Sequence, residues 1–524
     1  MASCPTHCAG QAFARARGAG PREPAVAPKP RLAHPRAGRR PGPAGAGPGQ
    51  RLLAPGGKPV QIPPGARCGR GGDRARGGRR KSERGAGPME ISGQRVSFWS
   101  GGAMGIGTMV GAGIFALMGA AGSIAGSAVW LSFLLAGGIA LLSGYSFGRL
   151  GARYPAAGGL VEYMVQAWGA GRFSGAMSVT MYLAAIVALS LVARAFGSYA
   201  VALMPADTPG IMVPVLAAAV VLAFMAVNLG GARAMARVEN LVVLVKVGVL
   251  VVFALAGLAV MRPELLAPAT WPPAPRIFHA IALTFFAYEG FRVICNAAED
   301  MDDPARTLPR AMLTAIGLVM LLYVALSIAV FGNLPPERVA AAQDYALAEA
   351  ALPVFGQAGF TIVAVAALFS TASAINAALY GVTNVTYEMA RKGELPAAFG
   401  RPFGHSREGL VVSSLAIILL AVFLDLSAIA EIGALMMLLV HMVVHAGHLR
   451  LLGQTGARPA LVWLALLANG GAVAVGIWTL AGRDPWLLGW IAGFVALAAG
   501  LEFALHGITG RVVETRTPDG PGRP

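Results

Sequence analysis

Charge is what this sequence has least of. Asp, Glu, Lys and Arg make up 13% of its 524 residues, about half the share of an average soluble domain. A chain this poor in charge cannot clothe a large water-facing surface. Cysteine is nearly absent as well: Cys4, Cys8, Cys68 and Cys295 are the whole set, which excludes a disulfide framework. Cys4 and Cys8 beside His7 would make half a metal site, but no second half follows. No Gly-x-x-x-x-Gly-Lys-Ser/Thr run occurs, which argues against an ATP-driven pump within this chain. No nucleophile–base or metal constellation can be drawn at one depth, so an intramembrane enzyme, such as a protease or acyltransferase, stands only as an alternative from another class.

The formal charge of +17 is concentrated in the first 88 residues, which hold 18 Lys and Arg against Glu23, Asp73 and Glu83. The remaining chain carries 24 basic and 22 acidic residues. Residues 1–88 are a monotony of Gly, Pro, Ala and Arg without apolar period or signal-peptide core, so a disordered tail is expected there, with no role in nucleic-acid binding. Its character changes at Met89, which is read as the true start. The membrane domain is expected over 89–510 and a polar, disordered tail over 511–524.

What is abundant is apolar sequence, 56% of the chain. Twelve runs are long enough for membrane helices: 98–118, 127–149, 174–203, 211–230, 239–261, 277–298, 311–332, 355–380, 409–425, 427–449, 460–481 and 486–507. Connections from even to odd spans carry thirteen Lys and Arg, the others four, which puts both termini in the cytoplasm. Tyr154–Gly169 is too short to span and suits an interfacial or re-entrant helix, and residues 333–354 suit a short surface helix.

Two spans are broken. Gly105, Gly107, Gly111 and Gly113 fall within nine residues of the first span, each costing a helix about 1 kcal/mol against alanine. Such a stretch either exposes backbone to a cavity or packs closely against another helix through small residues. The sixth span carries Glu289-Gly290 in mid-membrane between aromatics, which is costly unless it faces a cavity or a partner. First and sixth are matching positions if spans one to five and six to ten are repeats. Breaks at matching positions are the best pointer in a sequence to a transporter site.

Four motifs carry a resemblance. Gly107–Phe115 resembles the first-span signature of the amino acid–polyamine–organocation (APC) transporter superfamily. Phe286–Phe291, then Asn296–Asp300 and Pro304–Arg310, is similar to its sixth span and exit. Ala367–Asn376 with Tyr387–Pro396 resembles its eighth span and following loop, and Tyr154–Gly159 its second-to-third loop. The resemblance covers about residues 92–510. It implies an all-α fold of twelve transmembrane helices, a five-plus-five inverted repeat with discontinuous first and sixth spans, and two added C-terminal helices.

An amino acid presents a carboxylate and an ammonium group. N–H groups at a half-helix N-terminus suit the carboxylate, which assigns Val110, Gly111, Ala112 and Gly113, as the resemblance also implies. Carbonyls in both breaks suit the ammonium, with Ile106, Gly107, Phe285 and Phe286 as candidates. Phe286, Tyr288 and Phe291 would wall or gate the side-chain pocket, or pack in the core. Glu289 would bind a substrate cation, take up a proton, or pair with Arg292 three residues on.

Lys246 lies about eight residues into the fifth span, roughly 12 Å deep. It either snorkels to the cytoplasmic face or lies against the first and eighth spans near Ser370, Thr371 and Ser373. Sodium-coupled relatives of this fold bind a cation in that place. A lysine there would substitute for sodium, and the resemblance implies proton coupling. His441, His445 and His448 share one face of the tenth span and are read as polar residues at a helix end, since three ligands from one straight helix fit zinc badly. Glu431 has no evident partner. Glu299, Asp300, Asp302 and Asp303 are expected to cap helices or pair with Arg306 or Arg310.

The reading is secondary transport of amino acids or related amines across the cytoplasmic membrane by alternating access, proton-coupled, with no cofactor. An amino acid/amine exchanger is the alternative.

Overall fold

The computed structural model describes residues 96–509 except 157, 231–234, 393–396 and 404–405. The tail 1–88, Met89, Cys4, Cys8, Cys68 and the C-terminal segment 511–524 lie outside the described residues. Among the described residues the regular structure is helical apart from a hairpin of two short strands, β1 (Pro402–Phe403) with β2 (Ser406–Arg407).

The first span is two pieces, α1 (Phe98–Ala112) and α2 (Ile114–Ala125). Ser97 caps α1 by accepting the Ser100 N–H. The pair runs seven residues past the expected boundary and stops only at Gly126, where φ is +54°. Next come α3 (Val129–Arg153), α4 (Leu160–Trp168), α5 (Arg172–Ala202), α6 (Met212–Leu229) and α7 (Met235–Ala259). The sixth span is α8 (Ala274–Tyr288), a 3-10 turn over Glu289–Arg292, and the single turn α9 (Val293–Asn296). Then follow α10 (Pro304–Asn333), the short α11 (Pro336–Ala341) and α12 (Ala346–Glu349), and α13 (Leu352–Lys392), kinked at Gly356 with φ +68°. The series ends with α14 (Glu408–Phe423), α15 (Leu426–Arg450), α16 (Leu452–Thr455), α17 (Pro459–Arg483) and α18 (Pro485–Thr509).

Ten helical stretches among the described residues are long and apolar enough to cross a membrane. Ile114–Arg153 counts as one of them, and α14 is apolar but shorter, at 16 residues. Sixteen residues rise about 24 Å, less than the roughly 30 Å hydrocarbon core. Helix α13 extends twelve residues beyond the expected end. The Thr383 and Thr386 hydroxyls bond back to the carbonyls of Leu379 and Thr383, so polar residues continue the helix without unmet groups.

The molecule has an enclosed centre and an oily rim. In the most apolar stretches of Arg172–Ala202 and Ala274–Asn296, 78% of residues are buried, against 17% for Pro485–Ala504. Exposed Leu244, Phe423, Trp478 and Trp486 give the rim a surface suited to lipid rather than water.

Two connecting segments are more enclosed than expected. Helix α4 buries Leu160 through Val165 and packs on α5 and α15, with the Trp168 indole donating to the Val443 carbonyl at 3.3 Å. The segment over 333–354 buries Val339, Ala346, Leu347 and Ala348. Gln343 comes so near α2 that a side chain on Gly119 would strike its carbonyl oxygen.

Candidate functional site

The two broken spans meet each other. Helix α1 continues through Gly105, Gly107 and Gly111, and only Gly113 leaves the helix. Its φ of −82° is open to any residue, so conformation is not why glycine stands there. Contact is: a Cβ on Gly113 would collide with the Ala287 carbonyl oxygen and lie 2.8 Å from the Ala287 Cα. The reciprocal holds on the other side. A Cβ on Gly290 would lie 2.7 Å from the Thr108 carbonyl carbon and 2.8 Å from the Met109 Cα. Each break thus uses a glycine to let the other's backbone in.

Tyr323 of α10 fastens this crossing. Its hydroxyl, fully buried, sits 2.7 Å from the Met109 carbonyl and 3.3 Å from that of Ala287, one from each break. The Ile114 backbone also reaches it. Sequence reasoning passed over Tyr323. The available signal was a tyrosine inside an apolar run, whose hydroxyl must find a partner when buried.

Lys246 is buried rather than snorkelled. Its Nζ donates to the Gly107 carbonyl at 2.7 Å. A Cβ on Gly111 would lie 3.0 Å from that Nζ and 3.1 Å from Ala374 of α13, so the glycine leaves room for the ammonium between α1 and α13. The Ser370 hydroxyl points at the Val110 carbonyl at 3.5 Å, and Thr371 bonds within its own helix to the Ala367 carbonyl at 2.7 Å. Ser373 is half-buried on the same helix. Lys246, Gly107, Gly111 and Ser370 therefore come together. Thr371 is bonded to its own helix.

The backbone groups fall less simply. Val110, Gly111 and Ala112 lie within α1, and the Gly113 N–H is bonded to the Met109 carbonyl at 2.9 Å. By the general rule for helix ends, the unpaired N–H groups belong to the first turn of α2, from Ile114 onward. Gly107 offers its carbonyl to Lys246, and the Phe286 carbonyl accepts the Glu289 N–H in the 3-10 turn. Ile106 is half-buried, and Phe285 is fully buried beside His441, ring centroids 5.4 Å apart.

The aromatics of the sixth span diverge. The Tyr288 hydroxyl donates to the Phe133 carbonyl at 2.9 Å, and the Phe291 ring stacks on Phe147 at 5.9 Å, so both face α3. Phe286 faces the other way, toward Gly433 of α15 and Val187 of α5. Glu289 is buried and pairs with Arg292, Oε1 to Nε 2.7 Å. Its other oxygen lies 3.4 Å from His441 Nε2. That histidine partner crosses from α15 and was not foreseen. At the far end of α15, Glu431 lies 3.9 Å from Arg483, which supplies the partner the sequence did not reveal. Asp303 caps α10 through the Arg306 N–H and sits 3.8 Å from the Arg306 guanidinium, as expected of an acid beside water.

Residues 96–502 match the model of a family described as "Amino acid permease". The chain is 33% identical to the inner membrane transport protein YbaT of Escherichia coli over 405 residues, 77% of this chain and 94% of that protein. It is 32% identical to a Methanocaldococcus jannaschii protein without assigned function, across 82% of this chain and 98% of that one. Among solved structures, an Eremococcus coleocola manganese transporter aligns with a TM-score of 0.53 over 79% of this chain and 93% of that one, at 14% identity, a likeness of fold alone.

Proposed function

The chain belongs to the amino acid permease family, and from that premise we propose that it takes up amino acids by proton-coupled alternating access across the cytoplasmic membrane. It is a multi-pass membrane transporter and not an enzyme, and the resemblance to the APC superfamily is borne out. The finer architecture in this reading is twelve spans in a five-plus-five inverted repeat plus two helices, with both termini in the cytoplasm. Support comes from helices at each of the twelve expected runs and from the breaks in the first and sixth.

The observation that carries the coupling is Lys246. Its buried ammonium bonds the Gly107 carbonyl between the first and eighth spans. An ammonium there ties α7 to the first span through the Gly107 carbonyl. Loss of its proton would weaken this charge-assisted bond to the Gly107 carbonyl and loosen α1 from α7, so protonation state and conformation become linked. The substrate sits beside the crossing of the breaks, its carboxylate toward the N-terminus of α2 and its side chain toward Phe286. Glu289, paired with Arg292 and His441, acts as a local charge balance rather than as a direct ligand of a cationic substrate.

Proteoliposome uptake of radiolabelled amino acids, with and without an inward proton gradient, tests the reading. Uptake of at least one amino acid should rise with the gradient. Uptake that ignores the gradient but needs amino acid on the opposite side would replace it with exchange.

A further inference from the structure

The three histidines of α15 are not at a water-facing helix end. His441, His445 and His448 are all fully buried, and α3 meets them with two serines one turn apart. His448 Nε2 lies 3.0 Å from the Thr455 hydroxyl, which is half-buried just beyond the end of α15. His448 Nδ1 lies 2.7 Å from the Ser146 hydroxyl, and that hydroxyl 2.9 Å from His445 Nδ1. His445 Nε2 lies 3.1 Å from the Ser143 hydroxyl, which Asn469 of α17 also contacts at 3.1 Å. One turn further in, the rings of His445 and His441 are 6.3 Å apart, with Phe147 against both. His441 Nε2 then lies 3.4 Å from Glu289, and neither of its ring nitrogens makes a hydrogen bond among the described residues.

We propose that this file of side chains is a proton path, running from Glu289 at the sixth-span break through His441, His445, Ser146, His448 and Thr455 to the cytoplasmic Arg450 end of α15. The inference rests on the proton-coupled reading above and adds the route. Each imidazole takes a proton on one nitrogen and releases one from the other, and each hydroxyl passes one along, so only N–H and O–H bonds change. Two gaps, between His445 and His441 and between His441 and Glu289, are closed by movement of the His441 ring, whose nitrogens make no hydrogen bond among the described residues. Glu289, as the carboxylic acid, gives its proton to this file and is left as the carboxylate, which re-forms its pair with Arg292 inside the membrane.

The charged and titratable groups facing this file are few. Arg292 and Cys295 stand beside Glu289, and Arg149 of α3 faces His448. From α17 the group that meets the file is the neutral Asn469. A merely structural stripe would need polar atoms but no titratable ring. Three imidazoles joined through hydroxyls supply both donor and acceptor at each step, the chemistry by which histidine shuttles protons.

The test uses full-length protein in proteoliposomes and a mixture of the standard amino acids, radiolabelled. His445→Gln keeps a hydrogen-bonding side chain beside Ser143 and Ser146 but cannot carry a proton, and Ser146→Ala cuts the link between His445 and His448. Gradient-driven uptake should fall about tenfold in both variants, a modest share of what a positioned proton-transfer group contributes. Counterflow of labelled against unlabelled amino acids at equal pH should stay at the wild-type rate, and so should the melting temperature of His445→Gln. Unchanged gradient-driven uptake in both variants overturns the path and leaves the coupling intact. So does a parallel fall of both modes, which makes the histidines structural. Wild-type uptake indifferent to the gradient overturns the coupling and the path together.

Discussion

The two broken spans solve one problem in opposite ways. The first break has no charge of its own. It is built of glycine and apolar residues, and the cation bonded to it, Lys246, arrives from α7. The sixth break carries its charges in its own sequence, Glu289 and Arg292 within one turn, with His441 added from α15. In a low-dielectric interior each arrangement must be balanced locally. A break with a borrowed charge can exchange that charge without losing its own shape. A break with built-in charges holds itself together and answers to what neutralises them. The first break is thus suited to sense a coupling ion, the sixth to respond.

The comparison breaks most completely if the contact between the two is blocked. Gly113→Val would drive a branched side chain into the Ala287 backbone. Overpacking usually costs about 1–3 kcal/mol and more when backbone must yield, so folded yield should drop steeply and uptake vanish. Near-normal uptake by Gly113→Val would mean that the breaks do not cross as described. Next in size is Glu289→Gln, which leaves Arg292 with a neutral partner in a largely buried place. A cost on the order of 2 kcal/mol is expected, read as a lower melting temperature in detergent, with no comparable loss for Arg306→Gln at the exposed pair with Asp303. Tyr323→Phe removes one hydroxyl from both carbonyls. About 1 kcal/mol should go, and hydrogen exchange should quicken at both breaks together; quickening at one alone would show that the tyrosine does not couple them.

The smallest effect comes from a group outside both breaks. Burial holds the Asp344 carboxyl above its usual range, although the Ser198 hydroxyl donates to it at 2.7 Å and Arg194 lies near. A carboxyl whose folded pKa is raised adds stability that is complete below its unfolded pKa and is lost as pH rises through the folded one. Between about pH 4 and pH 7, melting temperature should therefore decline slightly in the wild type and less in Asp344→Asn. An equal decline in both would remove Asp344 from the account.

Much of this was legible in the chain. Run lengths located the helices, and the glycines and Glu289 marked both breaks, because broken apolar periodicity is a local property. Lys246 was readable as an ammonium too deep to be casual. What stayed hidden was whatever depends on the partner across a helix interface. Gly113 looked like exposed backbone, yet its purpose is close approach to Ala287. Tyr323 lies 214 residues from the Met109 carbonyl it serves, and Ser146 is 302 residues from His448. No spacing rule along one helix links such pairs. The histidines were visible as a face of α15, but the serines that turn the face into a chain lie on α3. Helix α4 was legible as an interfacial or re-entrant helix, but its amphipathic pattern gives the apolar face without saying that α5 and α15 cover it.

The most direct measurement is proton movement on addition of the preferred amino acid to weakly buffered proteoliposomes holding either wild type or Lys246→Ala. The account predicts alkalinisation of the medium with wild type, and none with Lys246→Ala even where counterflow persists. Full, amino acid-dependent proton uptake by Lys246→Ala would contradict it.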